Sequence, residues 1–225
     1  YNLGVSYANG KGVAQDDAEA VRLLSQAAEQ GNAIAQNRLG LAYVNGKVVA
    51  LDDYEAVRLF RQAAEQGNAM AKNKLGVSYA KGKGVAQDIA EAVRLFRQAA
   101  EQGNTYAQTN LGVAYVNGKG VAHDYAEAVR LFRQAAEQGN TNAQNSLGFA
   151  YANGKGVAQD HAEAVRWYRQ AAEQGNAFAQ TSLGVAYYHG RGVAKDYAEA
   201  VRLFRQAAEQ GNTDAQNNLR ILVGE

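Results

Sequence analysis

The chain has no cysteine and no proline. Without cysteine, neither a disulfide framework nor a thiolate metal site can hold it together. Without proline, other residues must make every turn, and glycine is the chief alternative. An excess of one charge is lacking too. Lys and Arg number 23 against 22 Asp and Glu, so the net charge is +1 and no global field draws the chain toward nucleic acid or membrane. No apolar run approaches the roughly eighteen residues of a spanning helix. None of the asparagines opens an Asn-x-Ser/Thr sequon, so glycosylation is not indicated. The chain opens at Tyr1 in mid-pattern rather than at methionine, which leaves room for a removed leader.

What is present is glycine, 24 residues of 225. Six stand in Leu-Gly pairs (Gly4, Gly40, Gly76, Gly112, Gly148, Gly184), each 36 residues after the last. A second set keeps the same period at Gly31, Gly67, Gly103, Gly139, Gly175 and Gly211. A third forms Gly-x-Gly loops such as Gly118/Gly120 and Gly154/Gly156; only the second loop breaks the pattern, with Val48 after Gly46. One period through the chain identifies a tandem array rather than a single globular core. The array divides as 1–36, 37–72, 73–108, 109–144, 145–180 and 181–216, with a partial terminal helix at 217–225, all in one domain (1–225). Val48 marks the second loop as the place to expect local deviation.

One unit shows how each copy builds itself. Asn32 caps a helix whose period runs through Ala35, Leu39, Ala42 and Tyr43 and stops near Asn45. Asp52 caps a second helix, and Glu55 three residues on predicts a capping box. Ala56, Leu59, Phe60, Ala63 and Ala64 form its apolar stripe, and Gly67 ends it. Gly40 in mid-helix costs roughly 1 kcal/mol of propensity, so its recurrence predicts close helix approach. The Ala63-Ala64 pair predicts packing on the first helix of the next unit. No unit can bury Leu39, Tyr43, Leu59 and Phe60 alone, so stacking must supply the core.

These motifs resemble the Sel-one-like repeat family, relatives of the tetratricopeptide repeats. The family pattern Ala-x-Ala-x-x-x-Leu-Gly-x-x-Tyr, Gly-x-Gly-Val-x-x-Asp, Ala-Ala-x-x-Gly stands here at Ala143–Tyr151, Gly154–Asp160 and Ala171–Gly175, and recurs along the chain. The resemblance implies an all-α, right-handed superhelical solenoid of antiparallel helix pairs. It also implies a non-enzymatic scaffold or adaptor for a protein or peptide. Family members are often bacterial, in the envelope or secreted, and include immunity-type proteins; for this chain a cytoplasmic location stays open. The disulfide of cysteine-rich relatives has no counterpart here.

Specificity must lie where copies differ. Residues 90–104, 126–140 and 198–212 are the same fifteen residues. The first helices vary instead. On a helical wheel Ile34, Asn37, Leu41, Val44 and Asn45 share one arc, away from Leu39 and Tyr43. In tetratricopeptide relatives that face lines a concave groove. The candidate partner-binding residues on it are Ile34, Met70, Lys74, Lys81, Tyr106, Asn117, Asn142, Phe149, Phe178, Tyr188 and His189. Arg38, Lys72, Lys74 and Lys81 make its early edge basic, and Tyr106, Phe149, Phe178 and Tyr188 make the later part aromatic, a pattern that suits a protein or peptide partner.

Catalytic signals fail. Gly-Lys-Gly-Val lacks the Gly-Lys-Ser/Thr ending of a phosphate loop. His123, His161 and His189 occupy unrelated positions and read as surface substitutions. No nucleophile comes with a base. No cofactor, metal, nucleic acid or membrane insertion is expected. The alternatives are an immunity-type inhibitor of a bacterial toxin and, further off, an envelope-associated hydrolase. The apolar close at Ile221-Leu222-Val223 suggests end-to-end self-association.

Overall fold

A computed structural model of the protein describes residues 1–46 and 48–223. Among them are thirteen helices and no strand. The first helices of successive units are α1 (Asn2–Asn9), α3 (Ala33–Asn45), α5 (Ala69–Lys81), α7 (Thr105–Asn117), α9 (Thr141–Asn153), α11 (Ala177–His189) and α13 (Thr213–Val223). The second helices are α2 (Asp17–Glu29), α4 (Asp53–Glu65), α6 (Ile89–Glu101), α8 (Tyr125–Glu137), α10 (His161–Glu173) and α12 (Tyr197–Glu209). The chain is an all-α solenoid of helix pairs with a 36-residue period. Gly224 and Glu225, the end of the expected terminal helix, lie outside the described residues.

The helices fall into two compact units, Tyr1–Ala107 with Lys119–Val121, and Gln108–Gly118 with Ala122–Glu225. In the first unit each helix from α1 to α6 packs on the next. Ala56, Phe60, Ala63, Ala64, Ala71, Leu75 and Leu95 share one core cluster there, so the Ala63-Ala64 pair does seat α4 on α5. The second unit stacks α8 to α13 in the same manner. Its clusters centre on Phe132, Leu147 and Trp167, and on Tyr168, Leu183 and Leu203.

The mid-helix glycines allow close approach within each pair. A Cβ on Gly76 would stand 2.7 Å from the Phe96 ring, and one on Gly148 2.6 Å from the Tyr168 ring. Such separations leave no room for a methyl group. At Gly4, where the facing residue is Leu24 rather than an aromatic, the nearest atoms are 3.2 Å away. The glycine is therefore matched to the ring.

Both kinds of cap form. Asn32 accepts from the Ala35 N–H at 2.9 Å and Asp52 from the Glu55 N–H at 2.9 Å. The capping box, however, is only half made. The Asp52 N–H donates to the Tyr43 carbonyl, which leaves Glu55 no backbone donor to reach back to. Glu55 instead takes a two-pronged bond from Arg58, at 2.7 and 2.5 Å. The same arrangement recurs at Glu91/Arg94 and Glu199/Arg202. Arg202 draws the Glu199 carboxyl below its usual range, chiefly through that bond. These pairs lie on an exposed face and contribute little stability individually.

Candidate binding groove

The second glycine of a Gly-x-Gly loop decides where the cation between the glycines stands. Gly156 has φ +72°, and a Cβ on it would run into the Tyr125 carbonyl. The loop can therefore rest directly on the first turn of α8. That seating holds Lys155 Nζ 5.3 Å from the centre of the Tyr125 ring and 5.5 Å from that of Phe149, both within cation–π range. Beside them lies a cavity of about 190 Å³. Val113 and Val116 of α7, Val129 and Phe132 of α8, Asn145, Ser146, Phe149 and Ala150 of α9, and Ser182 of α11 wall it. The wall is mostly apolar. Asn145 Oδ1 is shielded from solvent there and has no hydrogen-bond partner among the described residues, an unmet acceptor in an otherwise greasy chamber.

A larger cavity of about 460 Å³ occupies the same place one repeat later. Its wall is the first wall shifted by one period: Ala152 for Val116, His161 for Tyr125, Tyr168 for Phe132, Thr181 for Asn145, Val185 for Phe149, Arg191 for Lys155 and Asn218 for Ser182. Gly192 rests on the His161 carbonyl as Gly156 rests on that of Tyr125. The loss of the Phe149 and Tyr125 rings widens the chamber, and Asn153, Asp214 and Asn217 make it more polar than the first. Burial pushes the Tyr168 phenol up to about 12, and its hydrogen bond with Ser182 opposes that shift. Ser182 lines both cavities, so they adjoin as chambers of one groove.

Of the eleven residues expected from the sequence, Phe149 alone lines either chamber. Ile34, Met70, Tyr106 and Phe178 are large apolar side chains left about half exposed or more. Phe178 holds in α11 the position that Asp214 holds in α13 at the wall of the larger chamber. Lys81, Asn117, Asn142 and His189 are exposed, and Lys74 is half-buried. Asn142 accepts from Asn176 Nδ2 at 3.0 Å. Tyr188 is half-buried and packs edge-on against His189 and Tyr197, with ring centres 4.8 and 5.3 Å away.

Three expectations need correction. Asn37 and its counterparts in later repeats, Asn73, Thr109 and Thr181, are buried rather than exposed on the arc, so the open face is narrower than the helical wheel suggested. Lys72 does not edge the groove. It lines a cavity with Arg61, Tyr79, Glu91 and Arg94 of the outer face, and its Nζ bonds the Gln102 side-chain oxygen at 2.9 Å. His161 is half-buried in a chamber wall, not a bare surface substitution. Tyr125, Lys155, Arg191 and Asp214 were not expected. A signal for Tyr125 and His161 does exist in the sequence: the residue after the capping Asp varies as Asp17, Asp53, Ile89, Tyr125, His161 and Tyr197.

The described residues hold no group of three or more His, Cys, Asp or Glu able to bind a metal ion. No helix among them is long and apolar enough to cross a membrane.

No protein of curated function matches the chain. Solved structures do. A protective antigen with an SLR fold from uropathogenic Escherichia coli is 42% identical, with a TM-score of 0.80 over 98% of this chain and 47% of its own. A Sel1 repeat protein from Oxalobacter formigenes is 38% identical, with a TM-score of 0.83 over 98% of this chain and 64% of its own. An immunity protein from Pseudomonas aeruginosa is 26% identical, with a TM-score of 0.57 over 81% of this chain and 66% of its own. The chain thus spans between about half and two thirds of the length of these relatives. The profile of the Sel1 repeat matches residues 1–32, 33–68, 69–104, 105–140, 141–176 and 177–212 in unbroken succession. The chain belongs to the Sel1 repeat family.

Proposed function

We propose that this protein is a non-enzymatic scaffold that grips a segment of a partner protein on its first-helix face, through the groove between α7, α9, α11 and α13. Sel1 repeat proteins are in general scaffolds for protein interaction. One observation carries the reading to this site: the two chambers occupy equivalent places 36 residues apart, yet their walls differ. The second helices vary far less: residues 126–140 and 198–212 are identical, and residues 162–176 differ from them only at Trp167 and Tyr168. The differences are also of the kind that discriminates ligands, an aromatic pair against a polar set.

Of the remaining expected residues, Ile34, Met70, Tyr106, Phe178 and Tyr188 serve on this reading as apolar anchors, Asn117, Asn142 and His189 as polar contacts, and Lys74 and Lys81 as a basic end for acidic residues. A toxin is the second reading for the partner, supported by the likeness to an immunity protein.

The test is a selection of random-sequence displayed peptides on the full chain, followed by affinity measurement with a variant carrying Tyr106→Ala, Phe149→Ala and Phe178→Ala. All three side chains are half exposed or more, so the variant should fold. Loss of about tenfold or more in affinity is expected from removing aromatic anchors. A folded variant that keeps every selected peptide at full affinity overturns the reading.

A further inference from the structure

The two chambers differ in a way that specifies what each would hold. The smaller offers rings and aliphatic walls, and its cation, Lys155, is already engaged with the faces of Tyr125 and Phe149. The larger contains one cation and one anion, Arg191 and Asp214. They do not reach each other within ion-pair distance, and among the described residues neither has an ion pair at all. Asn153, Asn217 and Asn218 share the wall with them, side chains that both donate and accept.

Opposite charges that line one chamber without pairing discriminate by exclusion. A ligand carboxylate drawn to Arg191 meets Asp214, and an ammonium drawn to Asp214 meets Arg191. A neutral group with a donor at one end and an acceptor at the other meets neither penalty and pairs with both walls. The side-chain carboxamide of Asn or Gln is such a group.

Resting on the proposed binding of a partner segment in this groove, we infer that the segment is extended and carries two readable side chains. An apolar one, Leu or an aromatic, fills the chamber at Phe149. An uncharged Asn or Gln side chain lies between Arg191 and Asp214 in the next. The shared wall at Ser182 makes the chambers contiguous, so one segment can enter both.

The experiment uses the full chain and synthetic peptides in which Leu is followed, after one to four Gly or Ser residues, by Gln, Glu, Lys or Ala. Affinities are measured by fluorescence anisotropy at low and moderate salt. For the natural sequence the Gln series should bind best, by about threefold over Glu and Lys, the scale of exposed charge interactions. Asp214→Asn should move the preference to Glu, and Arg191→Gln should move it to Lys. Arg191→Lys should leave the order unchanged. Arg191 and Asp214 are both exposed, and circular dichroism verifies that each variant is folded. If the peptides bind and Phe149→Ala weakens them while the four series stay equal or keep their order in both charge variants, the carboxamide assignment is overturned and the groove stands. If no peptide of any series binds, the groove and the assignment both fall.

Discussion

The chamber at Phe149 and the chamber at Val185 have the same address in the repeat, but the second is wider and more polar. In the first, Tyr125, Phe149 and Lys155 close over about 190 Å³ of mostly apolar space. In the second, His161, Val185 and Arg191 stand in their places around about 460 Å³, with Asp214 and two asparagines of α13 in the wall. The backbone frame is common: a glycine seated on the preceding second helix, a capped helix start and a Leu-Gly helix contact. A few side chains therefore convert one chamber into the other. Fold and specificity occupy separate positions in this sequence.

Breaking the frame should have the largest effect. Gly156→Ala places a Cβ against the Tyr125 carbonyl at φ +72°. We expect a loss on the order of 3 kcal/mol in denaturant unfolding, from the strained backbone and the displaced loop together. Gly12→Ala is the control. Its φ is +79°, but nothing lies within 4 Å of the added atom, so about 1 kcal/mol should be lost. Equal losses would mean that the seating of loop on helix contributes nothing.

Exchanging the linings comes next. Phe149→Val with Tyr125→His gives the first chamber two residues of the second, and should lower affinity for a selected apolar peptide by about tenfold, the worth of roughly 1.4 kcal/mol of aromatic burial. The reciprocal Val185→Phe should raise the affinity of the second chamber for apolar side chains by a smaller factor, about threefold, because its polar wall remains. Unchanged affinities in both would show that these side chains do not meet the ligand.

The smallest effect concerns Tyr168, which replaces the phenylalanine of the equivalent wall. Its phenol is raised from the ordinary 10 to about 12 by burial. A raised folded value means that the native state holds the proton longer than the unfolded chain. Its contribution to stability is present below pH 10 and is lost as pH rises through about 12. Tyr168→Phe should therefore flatten the fall in stability over that window, as read by urea unfolding at a series of alkaline pH values.

Most of the frame was legible in the sequence because each part has a local signature. Asn and Asp at helix starts, Leu-Gly in mid-helix and Ala-Ala on the second helix each predict a contact that the fold contains. Tyr54 lies exposed in the first turn of α4, and Leu51 and Val48 in the one divergent loop before it. Lys47 beside Val48 is outside the described residues.

The groove was less legible because its wall comes from three kinds of element. A helical wheel of the first helix captures Phe149 but not Tyr125, which begins a second helix, nor Lys155, which the loop delivers. It also assigns Asn37 to the open side, although stacking buries that position. A wheel treats a helix as isolated, whereas the neighbours on both sides decide which of its faces stays open. The capping box failed for a similar reason. A tertiary acceptor, the Tyr43 carbonyl, took the Asp52 N–H, and Glu55 turned to Arg58.

On the proposed reading a partner segment lies in the groove and not on the outer helices. Photo-crosslinking from benzoylphenylalanine placed at Phe149 and, separately, at Glu137 on the exposed side of α8 distinguishes the two. With a peptide selected on the natural chain, adducts should form from position 149 and not from 137. Adducts from 137 with none from 149 would contradict that reading.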